Sequence, residues 1–239
     1  LTEGHPNFSH ITTIIFDMDG TLIEHTWQME RLCQVFFAQF ADILAPVTEA
    51  EFFDCFWSKS ADLWYMMIDG IIDGDTAAKY GYVNTLRALG RDTTLTDSML
   101  AYWIELVLTE AVPFEDTFTV LDTVRQNYTT GILTNGFTDL QQRKIEKYNL
   151  ASYVDFTLVS EEAGYHKPDK RAFFEALKLG NNASPGETLY IGDNLEADIA
   201  GALGAGLTPI FINIKNNLAA PEGVVKIQGL SELLTLLEL

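Results

Sequence analysis

Four stretches of this chain carry side chains able to do chemistry together: Asp17-Met18-Asp19-Gly20-Thr21, Thr134-Asn135-Gly136, Lys167-Pro168, and Gly192-Asp193-Asn194 followed by Asp198. Gathered at one place, they would supply three or four carboxylates, one ammonium and one hydroxyl. Clustered carboxylates repel one another and titrate high unless a cation compensates them. Magnesium suits such a cluster, because it takes one or two carboxylates and keeps sites for water and phosphate oxygens. Thr134 and the amides of Asn135 and Gly136, at a helix start, suit a phosphate group. With Lys167 as a fixed positive charge, the set describes phosphoryl transfer through an aspartyl-phosphate.

The elements that must position these residues are legible in the hydrophobic pattern. Apolar runs at Ile11–Phe16, Gly131–Thr134, Phe156–Val159, Leu189–Ile191 and Pro209–Ile214 are continuous rather than alternating. Such runs mark strands covered on both faces, as in a parallel sheet. Helical patterns lie between them. Thr138 with Gln141 reads as a capping box opening a helix towards Tyr148. Asp169 is placed to cap a helix carrying Phe173, Phe174 and Leu177 and closed by Gly180. Asn194 to Leu203 reads as another helix with Gly204 as its stop, and Ser231 as the cap of the last one. In an open parallel sheet, ligands bind beyond the carboxyl ends of the strands. The reactive stretches follow those ends.

One long segment interrupts the alternation. Met29, Leu32, Cys33, Phe36, Phe37 and Phe40 recur at helical spacing, Thr48 and Glu51 form a capping box before Phe52, Phe53 and Phe56, and Thr76 to Leu89 reads as a helix closed by Gly90. Leu100, Trp103, Ile104 and Val107 mark one more helix, and Pro113 ends the series. The expected organisation is an α/β core of residues 1–21 and 112–239 with a helical insertion over 22–111.

The four stretches resemble, in order, the four motifs of the haloacid dehalogenase superfamily, which places a helical cap where this chain has its insertion. The resemblance implies a three-layer α/β/α Rossmann-like parallel sheet of order 5-4-1-2-3 with an inserted helical cap domain. It further implies that Asp17 is the nucleophile and a magnesium ligand. Asp19 would be the general acid and base, contributing its carbonyl to the metal. Thr134 and Lys167 would be catalytic groups that also hold the phosphate with Asn135 and Gly136. Asp193 would bind magnesium directly and Asp198 would hold a metal-bound water or orient Lys167. Members that displace halide lack the acid at Asp19, since chloride needs no proton to leave and an alkoxide does. That points to a Mg2+-dependent phosphatase rather than a dehalogenase.

A narrower resemblance runs through Thr134-Asn135-Gly136-Phe137-Thr138, Leu140-Gln141-Gln142, Ser160-Glu161-Glu162-Ala163-Gly164, Lys167-Pro168-Asp169-Lys170 and Leu63-Trp64. These are similar to bacterial 5′-nucleotidases acting on pyrimidine nucleoside monophosphates. The pair Tyr165-His166 before the lysine is bulkier than is common in that group. The implied substrate is a small phosphorylated metabolite, a nucleoside monophosphate, with Trp64 as a stacking residue beside the turn at Asp69-Gly70. Its neighbours Tyr65 and Met66 read as interior. The alternatives are a sugar-phosphate or phosphoglycolate phosphatase, a phosphoglucomutase, or a silent binding module on the same fold. The motifs are shared among the enzymes.

Composition narrows the partners. Thirty-four acids against fifteen bases leave a net charge of −19, which disfavours nucleic acid and anionic membrane surfaces. No apolar run approaches the ~20 residues of a membrane span. The first ten residues show no export signal, so a cytoplasmic location is expected. Cys33 and Cys55 form no metal pattern and read as reduced core thiols. His5, His10 and His25 read as loop histidines, and Trp27, Trp57 and Trp103 as core of the insertion. Gly201, Gly204 and Gly206 lack dinucleotide-binding spacing and read as helix termination and close packing. The Asn-x-Ser/Thr triplets at Asn7, Asn127 and Asn182 carry no functional reading.

Overall fold

The structure is a computed structural model that describes residues 7–25, 30–215 and 217–239. In chain order the elements are β1 (Thr13–Phe16), α1 (Glu30–Leu44), α2 (Glu49–Ile68), α3 (Gly74–Ala88), α4 (Thr96–Glu110), α5 (Thr117–Val124), β2 (Thr129–Thr134), α6 (Thr138–Lys147), β3 (Phe156–Val159), α7 (Ser160–Ala163), α8 (Lys170–Leu179), β4 (Thr188–Gly192), α9 (Gly201–Ala205), β5 (Thr208–Ile212), β6 (Val225–Ile227) and α10 (Ser231–Leu236). They form two compact units. One holds residues 1–24, 113–136 and 141–239, the other residues 25–112 and 137–140.

The first unit is the α/β fold expected from the strand pattern. All neighbouring strands pair in parallel in the order β3-β2-β1-β4-β5-β6, so the expected five-strand order is present with one strand added at the edge. The added strand β6 has only three residues and no continuous apolar run, which is why periodicity does not reveal it. Ile14, Ile15 and Phe16 are all fully buried, so both faces of β1 are covered. On one face, Ile15, Leu133 and Tyr190 pack against Phe173, Ala176, Leu177 and Ala202 of α8 and α9. The chain leaves this unit after Ile23 and returns at Pro113. The two segments are joined by an Ile23–Pro113 bridge and by Thr117 Oγ1 donating to the Leu22 carbonyl at 2.6 Å.

Several expected helix ends shift. Asp169 does cap α8, accepting from the Arg171 amide, but Phe174 faces outward and only Phe173 joins the core. Gly204 lies inside α9, and Gly206, at φ +83, closes that helix instead. Gly201 is a close-packing glycine: a Cβ there would lie 2.7 Å from the Phe173 ring. Ser231 is the first residue of α10 rather than its cap, and its amide donates to Asp116 instead. The helix expected from Thr138 and Gln141 begins at Thr138 itself, and the Gln141 side-chain nitrogen donates to Asp19 and Thr134.

The second unit is a bundle around an aromatic cluster. Its α2 begins with the expected Thr48–Glu51 capping box and runs on through the Leu63-Trp64 segment as one twenty-residue helix. Phe36 is fully buried at the centre, 5.3 Å from Phe40 and 5.4 Å from Trp103 in an edge-on arrangement. Phe56 lies 4.7 Å from Tyr82. Such pairs add to the stabilisation from area burial. Cys33 is buried in this cluster and burial pushes its thiol up to about 11, whereas Cys55 is only half-buried and is not a core residue. Both thiols are free. Trp57 and Trp103 belong to the cluster. Trp27, Met29 and His5 lie outside the described residues. Among the described residues no helix is long and apolar enough to cross a membrane.

The position of Phe36 yields a test. Phe36→Ala deletes the ring that touches α1, α2, α3 and α4 together, and should cost about 3–5 kcal/mol in urea unfolding followed by circular dichroism. A cost below about 1 kcal/mol would mean the cluster is not what holds the bundle.

Candidate active site

Parallel pairing of β1 with β2 and β4 sets their carboxyl ends side by side, and the reactive residues follow those ends. Asp17 is the first residue after β1, and its amide donates to the Ile191 carbonyl of β4 at 2.8 Å. The chain then turns tightly. Leu22 and Ile23 both donate to the Met18 carbonyl and the Gly20 amide donates to Ile23, which holds Asp19 two residues beyond Asp17. Gly20 sits at φ +86, where a side chain is strained, and a Cβ there would lie 2.3 Å from Asp193 Oδ2. The turn therefore needs glycine both for its backbone and for the approach of Asp193.

A buried ammonium joins the strand ends. Lys167 Nζ donates to Asp17 Oδ1 at 2.6 Å, to Asp198 Oδ1 at 2.6 Å and to the Tyr190 hydroxyl at 2.8 Å. All three of its N–H groups are thus used. The Tyr190 hydroxyl has the Leu133 carbonyl at 3.0 Å and Asp198 Oδ1 at 3.2 Å as acceptors for its own proton. Asp198 is brought into place by a π-helical turn, Leu195–Ala200, in which the Ile199 amide donates to Asn194. Its second oxygen accepts the Asn194 amide at 2.9 Å. The missing side chain of Gly192 makes this possible, since a Cβ would lie 2.5 Å from the Asp198 carboxyl.

The electrostatics follow from crowding. Burial, then the charges of Asp198 and Asp193, push Asp17 well above the usual carboxylate range, against the pull of Lys167. Asp193 is pushed up to about 7, first by burial and then by Asp198, again against Lys167. Burial alone would lower Lys167, but Asp17 and Asp198 outweigh it and hold the ammonium charged. One lysine does not offset this many acids. Asp17, Asp193 and Asp198 each present an oxygen within 4.8 Å of the others. The oxygen donors and the excess negative charge fit a hard divalent cation. Both oxygens of Asp198 already accept protein hydrogen bonds, so Asp17 and Asp193 are the better placed of the three to hold it.

The end of β2 is tied to the same centre. The Asn135 side chain brackets the backbone of Lys167, donating to its carbonyl at 2.8 Å and accepting its amide at 2.9 Å. Asn135 thus fixes the lysine segment with its side chain. Gly136 is at φ +141, a conformation reserved for glycine. Thr134 is buried and its hydroxyl accepts from Gln141 Nε2 at 2.8 Å. Lys144 pairs with Asp19 at 2.7 Å.

Lys144 and Tyr190 are invisible in the motifs, and Gln141 is quoted in them without a place at the site. Gln141 and Lys144 lie on a polar helix, and Tyr190 sits within an apolar strand. A buried Ser160–His166 hydrogen bond of 2.8 Å braces the segment before Lys167, and burial pushes the His166 imidazole below its usual range. Trp64 is not drawn into the aromatic cluster. It is half-buried on α2, with its ring 6.3 Å from and 77° to Phe137, the residue after Gly136. Its neighbour Tyr65 is 60% exposed, so the expectation of an interior Tyr65 fails.

A profile of the haloacid dehalogenase-like hydrolases matches residues 11–206. The pyrimidine 5′-nucleotidase YjjG of Escherichia coli is 36% identical over 121 residues, covering 51% of this chain and 53% of that protein. The chain thus spans about half the length of that relative. A glyceraldehyde 3-phosphate phosphatase of Methanothermobacter thermautotrophicus is 25% identical over 90% of this chain and 92% of its own. The crystal structure of the HAD-hydrolase YfnB of Bacillus subtilis bound to magnesium superposes with a TM-score of 0.74. It covers 96% of this chain and 99% of that one, at 24% identity, a likeness of fold. Haloacid dehalogenases share the fold as well.

The double role of Gly20 is testable. Gly20→Ala should cost about 1–3 kcal/mol from backbone strain. It should also displace Asp193, so that magnesium raises the thermal midpoint of the variant less than that of the unaltered protein. Equal shifts would show that Asp193 is not held by this approach.

Proposed function

Because the chain belongs to the haloacid dehalogenase-like hydrolase family, we propose that it is a magnesium-dependent phosphatase of small phosphate monoesters, with nucleoside 5′-monophosphates as substrates. The observation that carries the reading is the carboxylate of Asp19, two residues from Asp17 and held beside Thr134 by one amide. A leaving alkoxide needs a proton donor and halide needs none.

The roles then follow. Asp17 attacks phosphorus and forms the aspartyl-phosphate while Asp19 protonates the leaving oxygen. Asp19 next takes a proton from the water that attacks this intermediate, which frees phosphate and restores both carboxyl groups. Lys167 offsets the charge on Asp17 and the phosphoryl group. The Thr134 hydroxyl and the amides of Asn135 and Gly136 grip the phosphoryl oxygens, and Asp198 and Tyr190 keep Lys167 aimed at Asp17. Asp17, Asp193 and the Asp19 carbonyl would hold magnesium, which when bound offsets the clustered negative charge and polarises the phosphoryl oxygens. The helical unit, residues 25–112, acts as the cap that selects the leaving group, with Trp64 stacking on a base.

The nucleotide reading draws its support from the Escherichia coli relative, which matches over the half of this chain described above. A second reading, a phosphatase of small sugar phosphates, draws support from the relative that matches over almost the whole chain. A substrate panel separates them. Nucleoside monophosphates should be turned over faster than triose, glycolate and hexose phosphates. Manganese should replace magnesium. Calcium should inhibit, since its larger, looser coordination misplaces the nucleophile. Turnover undiminished in excess chelator sinks the metal assignment, and preference for a triose phosphate selects the second reading.

Trp64→Leu should weaken nucleoside monophosphate binding by about 1–3 kcal/mol through KM, with aryl phosphate turnover nearly unchanged. Equal loss on both substrates, with a lower thermal midpoint, would make Trp64 a packing residue of α2.

A further inference from the structure

Asp19 is held at both ends of its carboxylate. Lys144 Nζ lies 2.7 Å from Oδ1, and Gln141 Nε2 lies 2.7 Å from Oδ2. The two donors are three residues apart on α6 and so share one face of the helix. That face is unusual. α6 is a polar helix whose Lys147 is exposed, yet Gln141 is 2% and Lys144 4% exposed. Burying an ammonium is costly unless a partner charge meets it, and here the partner is Asp19. Gln141 Nε2 also faces Thr134 Oγ1 at 2.8 Å and the Asn135 carbonyl at 3.0 Å. The carboxylate and the carbonyl among these neighbours can only accept, so the amide presents its nitrogen. One amide therefore ties the carboxylate of Asp19 to the hydroxyl of Thr134.

We propose that Gln141 and Lys144 are positioning residues for Asp19. They hold its carboxylate in one orientation and in register with Thr134, so that proton transfer to the leaving oxygen occurs on a phosphoryl group gripped at a defined place. The inference rests on the phosphatase reading, in which Asp19 is the general acid and base. Neither residue touches the reacting atoms. Both act through the geometry of Asp19, which proximity and orientation make worth large factors in rate.

The test compares leaving groups. In the magnesium-loaded enzyme, Lys144→Met keeps the length of the side chain and removes its charge. Alcohol release from an alkyl phosphate in single turnover should fall about tenfold to a hundredfold, within the range of general acid catalysis. The first burst of nitrophenol from nitrophenyl phosphate, a leaving group that needs little protonation, should slow by no more than about threefold. KM for both should move little, and Lys144→Arg should recover part of the loss. Gln141→Met should show the same selectivity, and it carries the test if Lys144→Met does not fold. Equal slowing of the two substrates, or none, overturns the proposal. If the unaltered protein hydrolyses no phosphate monoester, the phosphatase reading fails on its own. Crystal structures of the two variants then decide separately whether Asp19 leaves its orientation: a turned carboxylate supports the positioning role and an unmoved one refutes it.

Discussion

Lys167 delivers its ammonium to Asp17, Asp198 and the Tyr190 hydroxyl at 2.6–2.8 Å, and the side chains of Lys167 and Asp198 are almost completely removed from water. Removing one partner of such a set leaves an uncompensated buried charge, at a typical cost of about 3–5 kcal/mol. The ends of β1 and β4 and the segment after β3 must therefore be registered to each other within a hydrogen-bond length. The surrounding backbone is arranged to meet that constraint. Asn135 brackets the lysine from both sides of its peptide, and the π-helical turn after β4 swings Asp198 back toward the sheet.

The same constraint explains why the site is short of positive charge. Lys167 is saturated by three acceptors, so it cannot also satisfy Asp193, which burial and Asp198 drive up to about 7. The chain carries nineteen more acids than bases, yet it spends buried cations at this one edge: Lys167 on Asp17 and Lys144 on Asp19. A divalent ion would complete the balance in a way that another lysine could not, since it offers coordination to phosphate oxygens as well as charge. Glycines at 20 and 192 make the approach of the carboxylates possible, because any Cβ at either place would occupy the volume of an aspartate.

The helical unit is built on a different principle. Its core is rich in aromatic rings, with Phe36 near rings on α1, α2, α3 and α4, and among the described residues it contributes none of the carboxylates of the centre. In the proposed function, chemistry and leaving-group selection fall to separate parts of the chain. This is how one phosphoryl site can serve many substrates.

The hydrophobic pattern alone is enough for the fold class, for five of the six strands among the described residues, and for setting Asp17, Asp19, Thr134, Lys167, Asp193 and Asp198 after strand ends. Strands buried on both faces read as continuous apolar runs, and parallel strands present their carboxyl ends at one edge, so residues that follow such runs are brought together whatever the loops do. Which groups those residues meet depends on packing between distant segments. Spacing shows that Gln141 and Lys144 share a helix face, but not that the face is turned to Asp19 rather than to water. Gln141 fits a capping pattern in sequence, and that local pattern says nothing of its side-chain nitrogen, which reaches a buried hydroxyl and a carboxylate far away in the chain. Tyr190 reads as a strand residue because its ring is core and only its hydroxyl, at the far end, reaches Lys167. Trp64 and Tyr65 look alike as neighbours in an apolar run, and the turn of α2 sets one beside Phe137 and the other in solvent. In each case the deciding partner is distant in sequence, and local pattern records the direction of a side chain without recording what lies in that direction.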